Sequence, residues 1–274
     1  MPEALQPWLG HPAFQAGVAP FLAALLAAWL LARPKLSGLA AIASFAVTVQ
    51  LASGFAFDPL TSSRKLVLLT LAAAALAIPL SFIKARWVRP LLAVSAAVCA
   101  VWMAHTILRQ KELLDMLLWG GGGAFYLGWL VYWNDGLQDN PARSACSGLG
   151  LGIGTGGAAL IGSSALLGEY GLALAAAAGA VALLHLVRGQ GLPLRRNFSL
   201  PLAVGAGLVG YLGTLSAQLP WYALAVLALV PPVCRLPVAE NNVRLQTLLL
   251  GTLSTACAAG AIYLTWRIAG TPPY

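Results

Sequence analysis

The stretch "ACSGLGLGIGTGGAALIGSSALL", residues 145–167, decides the fold class, because it is built of small and apolar residues and contains no charge. It is long enough to cross the hydrocarbon core of a bilayer, which takes about 20 apolar residues. Its glycines do not match a nucleotide-binding loop, since no Lys follows Gly157 and no strand or soluble helix flanks the run. Such glycines are instead typical of close contacts between membrane helices.

Two ladders of small residues run along this predicted helix. Gly148, Gly152 and Gly156 recur every four residues and therefore share one face. A second ladder lies on another face and consists of Gly150, Gly154, Ala158 and Gly162. A helix that is thin on two faces is expected at the centre of a bundle, so the first three glycines are predicted packing residues. The alanine-rich run around Ala173 and Ala176 is expected to face lipid in part.

The composition of the whole chain indicates a polytopic, all-α transmembrane bundle that forms one domain. Hydrophobic residues make up 59% of the 274 residues and charged residues only 9%, so a soluble protein could not cover its surface. Ten apolar segments are candidate spans: residues 14–31, 36–57, 66–83, 91–107, 116–133, 145–167, 172–186, 200–219, 221–234 and 245–268. A turn at 168–171 is predicted between the sixth and seventh segments. The ninth contains Pro231 and Pro232, which leaves eight spans plus a re-entrant hairpin as the alternative.

The distribution of Lys and Arg predicts the orientation. The odd-numbered connections hold eleven of these residues, and the even-numbered connections together with both tails hold five. Because basic loops stay in the cytoplasm, both termini are expected outside it, in a multi-pass protein of the inner membrane. The net charge of +8 is scattered over short loops, which excludes a nucleic-acid surface as its explanation.

Ten spans divide into possible halves, 13–133 and 145–268. Five is odd, so the second half would insert upside down relative to the first, as in many secondary transporters. The fifth and tenth segments both run from a polar start through Leu-Leu and small residues to Tyr, Leu and Trp. The architecture is similar to that of the ten-helix carriers of the drug and metabolite transporter superfamily. Those carriers are expected to keep both termini inside, which is the opposite of the orientation predicted here.

Candidate substrate-lining residues come from three of the predicted helices and the glycine-rich sixth. Four consecutive glycines from Gly120 to Gly123 weaken a helix by about 1 kcal/mol each relative to alanine, so this helix either crosses a neighbour closely or opens. Polar groups inside spans are functional candidates. The predicted lining set is Gln50, His105, Asp115, Gly120, Gly122, Tyr126, Gly154 and Thr155. Asp115 is also expected to join an interfacial ion cluster with Glu112, Arg109 and Lys111.

No catalytic, metal or cofactor site is predicted. The sequence has no Cys-x-x-Cys pair, and its histidines lie in unrelated segments without a carboxylate at helical spacing. Trp119, Trp129, Trp133 and Asp135 faintly resemble the tryptophan-rich motif of haem-handling cytochrome c assembly proteins. That motif is extracytoplasmic and flanked by histidines, whereas Asp135 is predicted to be cytoplasmic without a histidine nearby, so membership of that family is not inferred.

The leading functional interpretation is a transporter or permease for a neutral or lipid-like small solute, because no carboxylate suited to an ion pump lies near the middle of a span. One alternative is a non-catalytic subunit or assembly factor of a larger membrane complex. A second alternative is an integral-membrane enzyme that acts on lipid or quinone, although the absence of a predicted catalytic site disfavours an enzyme. The expected partners are the lipid bilayer and, in addition, other membrane subunits or further copies of this chain.

Overall fold

A computed structural model describes residues 11–32, 36–83, 85–162 and 164–269, and this part of the chain is helical with no strand. A π-helical turn, Phe14–Val18, leads into α1, Ala19–Leu30, and a 3-10 turn, Ser37–Leu39, leads into α2, Ala40–Ala52. The remaining helices are α3 Ser62–Leu80, α4 Val88–Leu108, α5 Leu113–Asp135, α6 Pro141–Ile161, α7 Ala165–Arg188, α8 Arg196–Ser216, α9 Trp221–Leu227, α10 Val230–Val233 and α11 Val243–Ala269.

Six of these helices, α3, α4, α6, α7, α8 and α11, are long and apolar enough to cross a membrane. The prediction of an all-helical fold is therefore confirmed, and six apolar helices of this length indicate an integral membrane protein. Helix α5 has 23 residues, but its Trp, Tyr and Gly residues lower its hydropathy. The other apolar helices are shorter, so a count of ten crossings is not confirmed.

One end of the bundle, here called the basic end, carries the connections after α3, α5, α7 and α10 in close contact. The Arg195 side chain donates to the backbone carbonyl of Ser81 over 3.2 Å, which joins two of these connections. Ser37, at the start of the second predicted segment, donates to the Pro193 carbonyl over 3.2 Å. The helices therefore alternate in direction, as the sequence predicts. Arg33, Lys35 and Lys84, also assigned to this end, lie outside the described residues, as do both termini.

The other end, here called the opposite end, carries the even-numbered connections. Ser53, after α2, and Tyr170, near the start of α7, share a hydrogen bond of 2.7 Å. The backbone N–H of Gln218, after α8, donates to the carbonyl of Gly162, after α6, over 3.0 Å. Because alternate connections lie at each end, consecutive helices run in opposite directions between the two ends of one bundle.

Helix α6 is wedged between α7 and α11, and its glycines make both contacts. A Cβ atom on Gly152 would lie 2.7 Å from the Cα of Ala175 in α7, and one on Gly156 would lie 2.6 Å from the backbone nitrogen of Leu172. Gly148 faces the same helix at Ala178. On the second face, a Cβ on Gly150 would lie 2.7 Å from the Ser254 carbonyl of α11. Two backbones thus approach α6 more closely than any side chain would allow.

One expectation about α7 is wrong, and a second is wrong for Ala173 but not for Ala176, which is only partly buried. Residues 168–171 are not a turn, because α7 begins at Ala165 and the chain reverses just before it. Gly168 and Gly171 instead give Gly156 of α6 room to approach. Ala173 does not face lipid: it is fully buried, and its carbonyl accepts a 2.7 Å hydrogen bond from Ser44 of α2. Helix α7 is covered on several sides by α1, α2, α6 and α8, which leaves little of it for lipid.

The packing of the two predicted halves is only partly alike. Helices α2 and α7 pack together, and so do α3 and α8, as equivalent helices of an inverted repeat would. The extensive contact between α6 and α11 has no comparable counterpart between α1 and α5 in the described part of the chain. The inverted repeat is therefore not confirmed.

Candidate functional site

A cavity of about 810 Å³ lies between α5, α8 and α9, toward the opposite end. Its walls are mainly aromatic and aliphatic, with Trp119, Phe125, Tyr126 and Trp129 from α5, Tyr211 and Thr214 from α8, and Trp221, Leu224, Ala225 and Ala228 from and just after α9. A volume of this size is in the range of small-molecule sites, which are mostly apolar with a few placed polar groups.

Glycines on α5 make this space. Gly122 lines the cavity, and a Cβ atom there would meet no heavy atom within 4 Å. Next to it, Gly123 lies directly against the ring of Tyr211, a contact that no larger residue would permit. The Tyr211 hydroxyl donates to the Trp119 carbonyl over 3.0 Å, which ties α8 to α5. The glycine run therefore serves as a close contact on one side and an open wall on the other.

A break in the ninth segment supplies the third wall. Helix α9 ends at Leu227, and Pro231 lies in the first turn of α10, where a missing N–H is tolerated. Pro232 has no N–H to give to the Ala228 carbonyl four residues earlier. The indole of Trp129 donates to that carbonyl over 2.9 Å instead. The proline pair thus frees a backbone acceptor that fastens α9 to α5 beside the cavity.

Few polar atoms face this cavity. The Tyr126 hydroxyl is buried and has no hydrogen-bond partner, although buried hydroxyls usually have one. Thr214 borders the same space, but its hydroxyl donates to the Tyr211 carbonyl over 2.7 Å. Asp115 is exposed and lies at the rim. The site can therefore hold an apolar body, with the Tyr126 hydroxyl buried behind its wall and a carboxylate at the entrance.

The cavity opens sideways, onto the face of the bundle that would meet lipid. Phe125 and Trp221 stand at the opening, with 71% and 66% of their surface exposed. Leu118 and Leu229 are exposed beside them. A ligand could enter from the hydrocarbon layer without first crossing a polar vestibule.

Asp115, Gly122 and Tyr126, which the sequence predicts as lining residues, all border this cavity. Gly120, also predicted as a lining residue, does not border this cavity; it lies against α4, where a Cβ would be 3.3 Å from Leu108. The ion cluster expected around Asp115 is not seen: no ion pair within 4 Å involves it in the described residues.

The other predicted lining residues lie elsewhere. Gly154 and Thr155 lie inside the α6 contacts, and the Thr155 hydroxyl donates to the Leu151 carbonyl over 2.7 Å. Gln50 and His105 are exposed on α2 and α4 and do not border the cavity.

Sequence reasoning missed the walls that α8 and α9 contribute, notably Tyr211, Thr214 and Trp221. On α5 a signal was present, because Asp115, Trp119, Gly122, Tyr126 and Trp129 recur at spacings of three and four residues and so share one face of a helix. Nothing in the local sequence of α8 or α9 marks the residues that complete the site.

A second polar arrangement lies at the basic end. Asp135, just after the tryptophan-rich part of α5, accepts from Arg196 Nε over 2.7 Å and from Arg196 Nη2 over 3.2 Å, and both side chains are buried. Arg196 Nη1 also donates to the carbonyls of Leu80 and Ile83, over 2.8 and 2.6 Å. This ion pair joins α3, α5 and α8, so its role is structural.

No protein-family model, curated protein or solved structure matches the chain. Any functional inference must therefore come from the geometry of the chain itself.

Proposed function

We propose that the protein is a transporter that carries a lipid-like solute without net charge, and that the cavity between α5, α8 and α9 is its binding site. The observation that supports this most directly is the sideways opening of an 810 Å³ cavity whose walls are mostly aromatic and aliphatic. Binding to such walls is favoured by about 25 cal/mol for each Å² of apolar surface that is removed from water.

The polar groups of the cavity favour a solute with a small neutral head. A buried hydroxyl without a partner costs about 1–3 kcal/mol, and a ligand oxygen that accepts from Tyr126 would recover part of it. An inorganic ion would need several oxygen or nitrogen ligands, and among the described residues Asp115 is the only charged side chain that borders the cavity. The geometry therefore suits an amphipathic molecule better than an ion.

The proposed location is the inner membrane, with the basic end in the cytoplasm. Among the described residues this end holds Arg86, Arg89, Arg143, Arg188, Arg195, Arg196, Arg235 and Arg244, against Asp135, Asp139 and Glu240. Such an excess of positive charge in short loops supports a cytoplasmic placement. The cavity would then lie in the outer half of the bilayer.

The test is lipid movement across a vesicle bilayer. The full chain is reconstituted into phosphatidylcholine vesicles that contain a nitrobenzoxadiazole-labelled phosphatidylcholine, which has no net charge. Dithionite added outside then reports how fast label arrives from the inner leaflet. We expect faster arrival with the wild-type protein than with empty vesicles.

Ala225→Trp is designed to fill the cavity, because Ala225 lines it and is exposed to the space. We expect this variant to lose most of the acceleration. Ala259→Trp, at an exposed position of α11 that does not border the cavity, is the matched control and is expected to behave like wild type. Equal rates for the two variants, or no acceleration by the wild type, would count against the proposal.

A second candidate, a subunit of a larger membrane assembly or a self-associating protein, is favoured by one feature. A groove of about 770 Å³ runs between the π-helical turn and helices α1, α6 and α7. Its lining combines larger, mostly aliphatic side chains with the small residues Ala13, Ala16, Gly17, Ala175 and Ala176. Small residues at a lipid-facing surface let another membrane helix approach closely. Purification of the protein with a stoichiometric membrane partner, and loss of that partner on Gly17→Leu, would support this role over transport by a single chain.

A further inference from the structure

The N-terminus of α4 opens into a polar cavity at the basic end. This cavity has a volume of about 570 Å³, and Ala85, Arg86, Arg89 and Pro90 border it from the first turn of α4 and the residues just before it. No side chain caps this helix, and its first turn contains no acidic residue. At this terminus the Val88 N–H donates to the Ala85 carbonyl over 3.2 Å and Pro90 has no N–H, which leaves the Arg89 N–H as the donor available to a ligand. The partial positive charge of a helix N-terminus is not compensated here by an acidic residue within the helix.

Arg89, which is partly buried, is stacked on an aromatic ring at this place and has one donor atom without a partner. Its guanidinium carbon lies 3.7 Å from the ring centroid of Tyr132, and its Nε donates to the Tyr132 carbonyl over 2.7 Å. The Nη2 atom is buried and has no hydrogen-bond partner. A guanidinium that is fixed by stacking and by one hydrogen bond is well placed to recognise an oxyanion.

Arg235, just after α10, lies beside Gly136 as Arg89 does. It lies over the ring of Trp133, with 4.2 Å from the guanidinium carbon to the centroid, and its Nη2 donates to the Trp133 carbonyl over 3.1 Å. A Cβ atom on Gly136 would lie 3.1 Å from the Arg89 guanidinium carbon and 2.9 Å from that of Arg235. Two like charges therefore converge on Gly136, and the Nε of Arg235 is also buried without a partner.

The carboxylates at this end do not neutralise these two arginines. Asp135 is paired with Arg196, and Glu240 is paired with Arg143 over 2.7 Å. Asp139 borders the cavity, but no ion pair within 4 Å involves it in the described part of the chain. Burial, together with the charges of Arg89 and Arg143, lowers the pKa of Arg235, as expected where positive charge is in excess.

We propose that this cavity binds a phosphate group at the N-terminus of α4, with Arg89 as the principal ligand and with Arg86 and Arg235 supplying further positive charge. Helix N-termini and arginine forks are both suited to phosphate oxygens. The aromatic side chains Trp87, Tyr132 and Trp133 place the site at the level of lipid headgroups. The phosphate could thus belong to an anionic phospholipid of the cytoplasmic leaflet or be free in solution.

The test measures thermal unfolding of the purified full chain in an uncharged detergent, with phosphatidylglycerol, phosphatidylcholine or inorganic phosphate added. For the wild type we expect phosphatidylglycerol to raise the melting temperature by about 5–10 °C at roughly a hundred times its Kd. Phosphatidylcholine, which has no net charge, is expected to give a much smaller rise. An equal rise with inorganic phosphate would identify the phosphate itself as the ligand, and its absence would identify the lipid.

Arg89→Gln is expected to abolish this rise, measured against the lipid-free melting temperature of the same variant. Arg89→Lys keeps the charge but loses the planar fork, and it is expected to retain part of the rise. It also provides the readout if the Gln variant does not fold. Arg188→Gln is the matched control, because Arg188 is exposed at the same end and does not border the cavity.

Two results would overturn the proposal. One is a wild-type protein that neither phosphatidylglycerol nor inorganic phosphate stabilises. The other is an equal loss of the rise in Arg89→Gln and Arg188→Gln, which would mean that lipid responds to the general charge of the basic end. Neither result bears on solute movement through the cavity between α5, α8 and α9, so the two proposals fail separately.

Discussion

Replacing Gly152 with alanine tests how tightly α6 and α7 are packed. The added Cβ would lie 2.7 Å from the Cα and 2.9 Å from the Cβ of Ala175. Backbone atoms cannot rotate away as the end of a long side chain can, so the two helix axes must separate at this point. Contacts above and below Gly152, at Gly148 and Gly156, would loosen as a result.

The magnitude follows from two opposing effects. Overpacking costs about 1–3 kcal/mol, and a clash with backbone belongs at the upper end of that range. Alanine also favours the helix by about 1 kcal/mol relative to glycine, which hides part of the cost. A matched variant, Gly121→Ala in α5, has the same gain without the clash, because a Cβ there meets no heavy atom within 4 Å. The difference between the two variants therefore isolates packing.

The assay is thermal unfolding in detergent, followed by intrinsic tryptophan fluorescence. A packing cost of about 2–3 kcal/mol corresponds to roughly 4–12 °C for a chain of this size. We expect Gly152→Ala to melt below Gly121→Ala by that amount, and Gly121→Ala to melt at or above wild type. If the two variants melt together, α6 and α7 are not in contact at Gly152. A Gly152→Leu protein that stays folded but no longer moves lipid would indicate that α6 moves during function.

Three further predictions concern charge, the cavity and orientation. Asp135→Asn leaves Arg196 buried without a counter-ion and should lower the free energy of unfolding by about 3–5 kcal/mol in melting experiments. Glu240→Gln breaks an exposed pair and should lower it by less than about 1 kcal/mol. Comparable losses in the two variants would contradict the buried pair. Tyr126→Phe should leave the melting temperature equal or higher, since the lost hydroxyl has no partner, yet slow lipid movement in the vesicle assay; an unchanged rate would exclude this hydroxyl from the site. Reporter fusions after Tyr274 should be active only outside the cytoplasm, and cytoplasmic activity would reverse the predicted orientation.

The fold class and the course of the helices were predictable from the sequence. Each of the ten apolar segments contains helix, because a run of apolar residues is driven out of water as a unit and must satisfy its own backbone. The ladder of Gly148, Gly152 and Gly156 likewise indicated a close contact, since residues four apart share one face of any helix. These features depend on neighbours in the chain and need no knowledge of the rest.

The turn predicted at 168–171 shows where such reasoning fails. Glycines mark turns in soluble proteins, but Gly168 and Gly171 are small because Gly156 of α6 lies against them. An alanine-rich run predicts a face that is partly exposed to lipid, but Ala173 is small because it is buried against Ser44. A small residue is compatible with a turn, with a lipid-facing surface and with a close contact between two helices, so its type alone does not distinguish them.

The candidate site was only partly predictable. Asp115, Gly122 and Tyr126 could be singled out because they share one helix with unusual composition, but Tyr211 and Trp221 reach the same cavity from α8 and α9. Pairs such as Asp135 with Arg196, or Arg89 with Arg235, meet only after the chain has turned several times. Lipid tails and the interior of the bundle are equally apolar, so the hydrophobic pattern that reveals the core of a soluble protein does not show here which face of a helix turns inward. The sequence by itself therefore determined that the chain forms membrane helices and where they lie along it, while only the tertiary structure decided which faces meet, because that choice depends on shape and hydrogen bonding between distant segments.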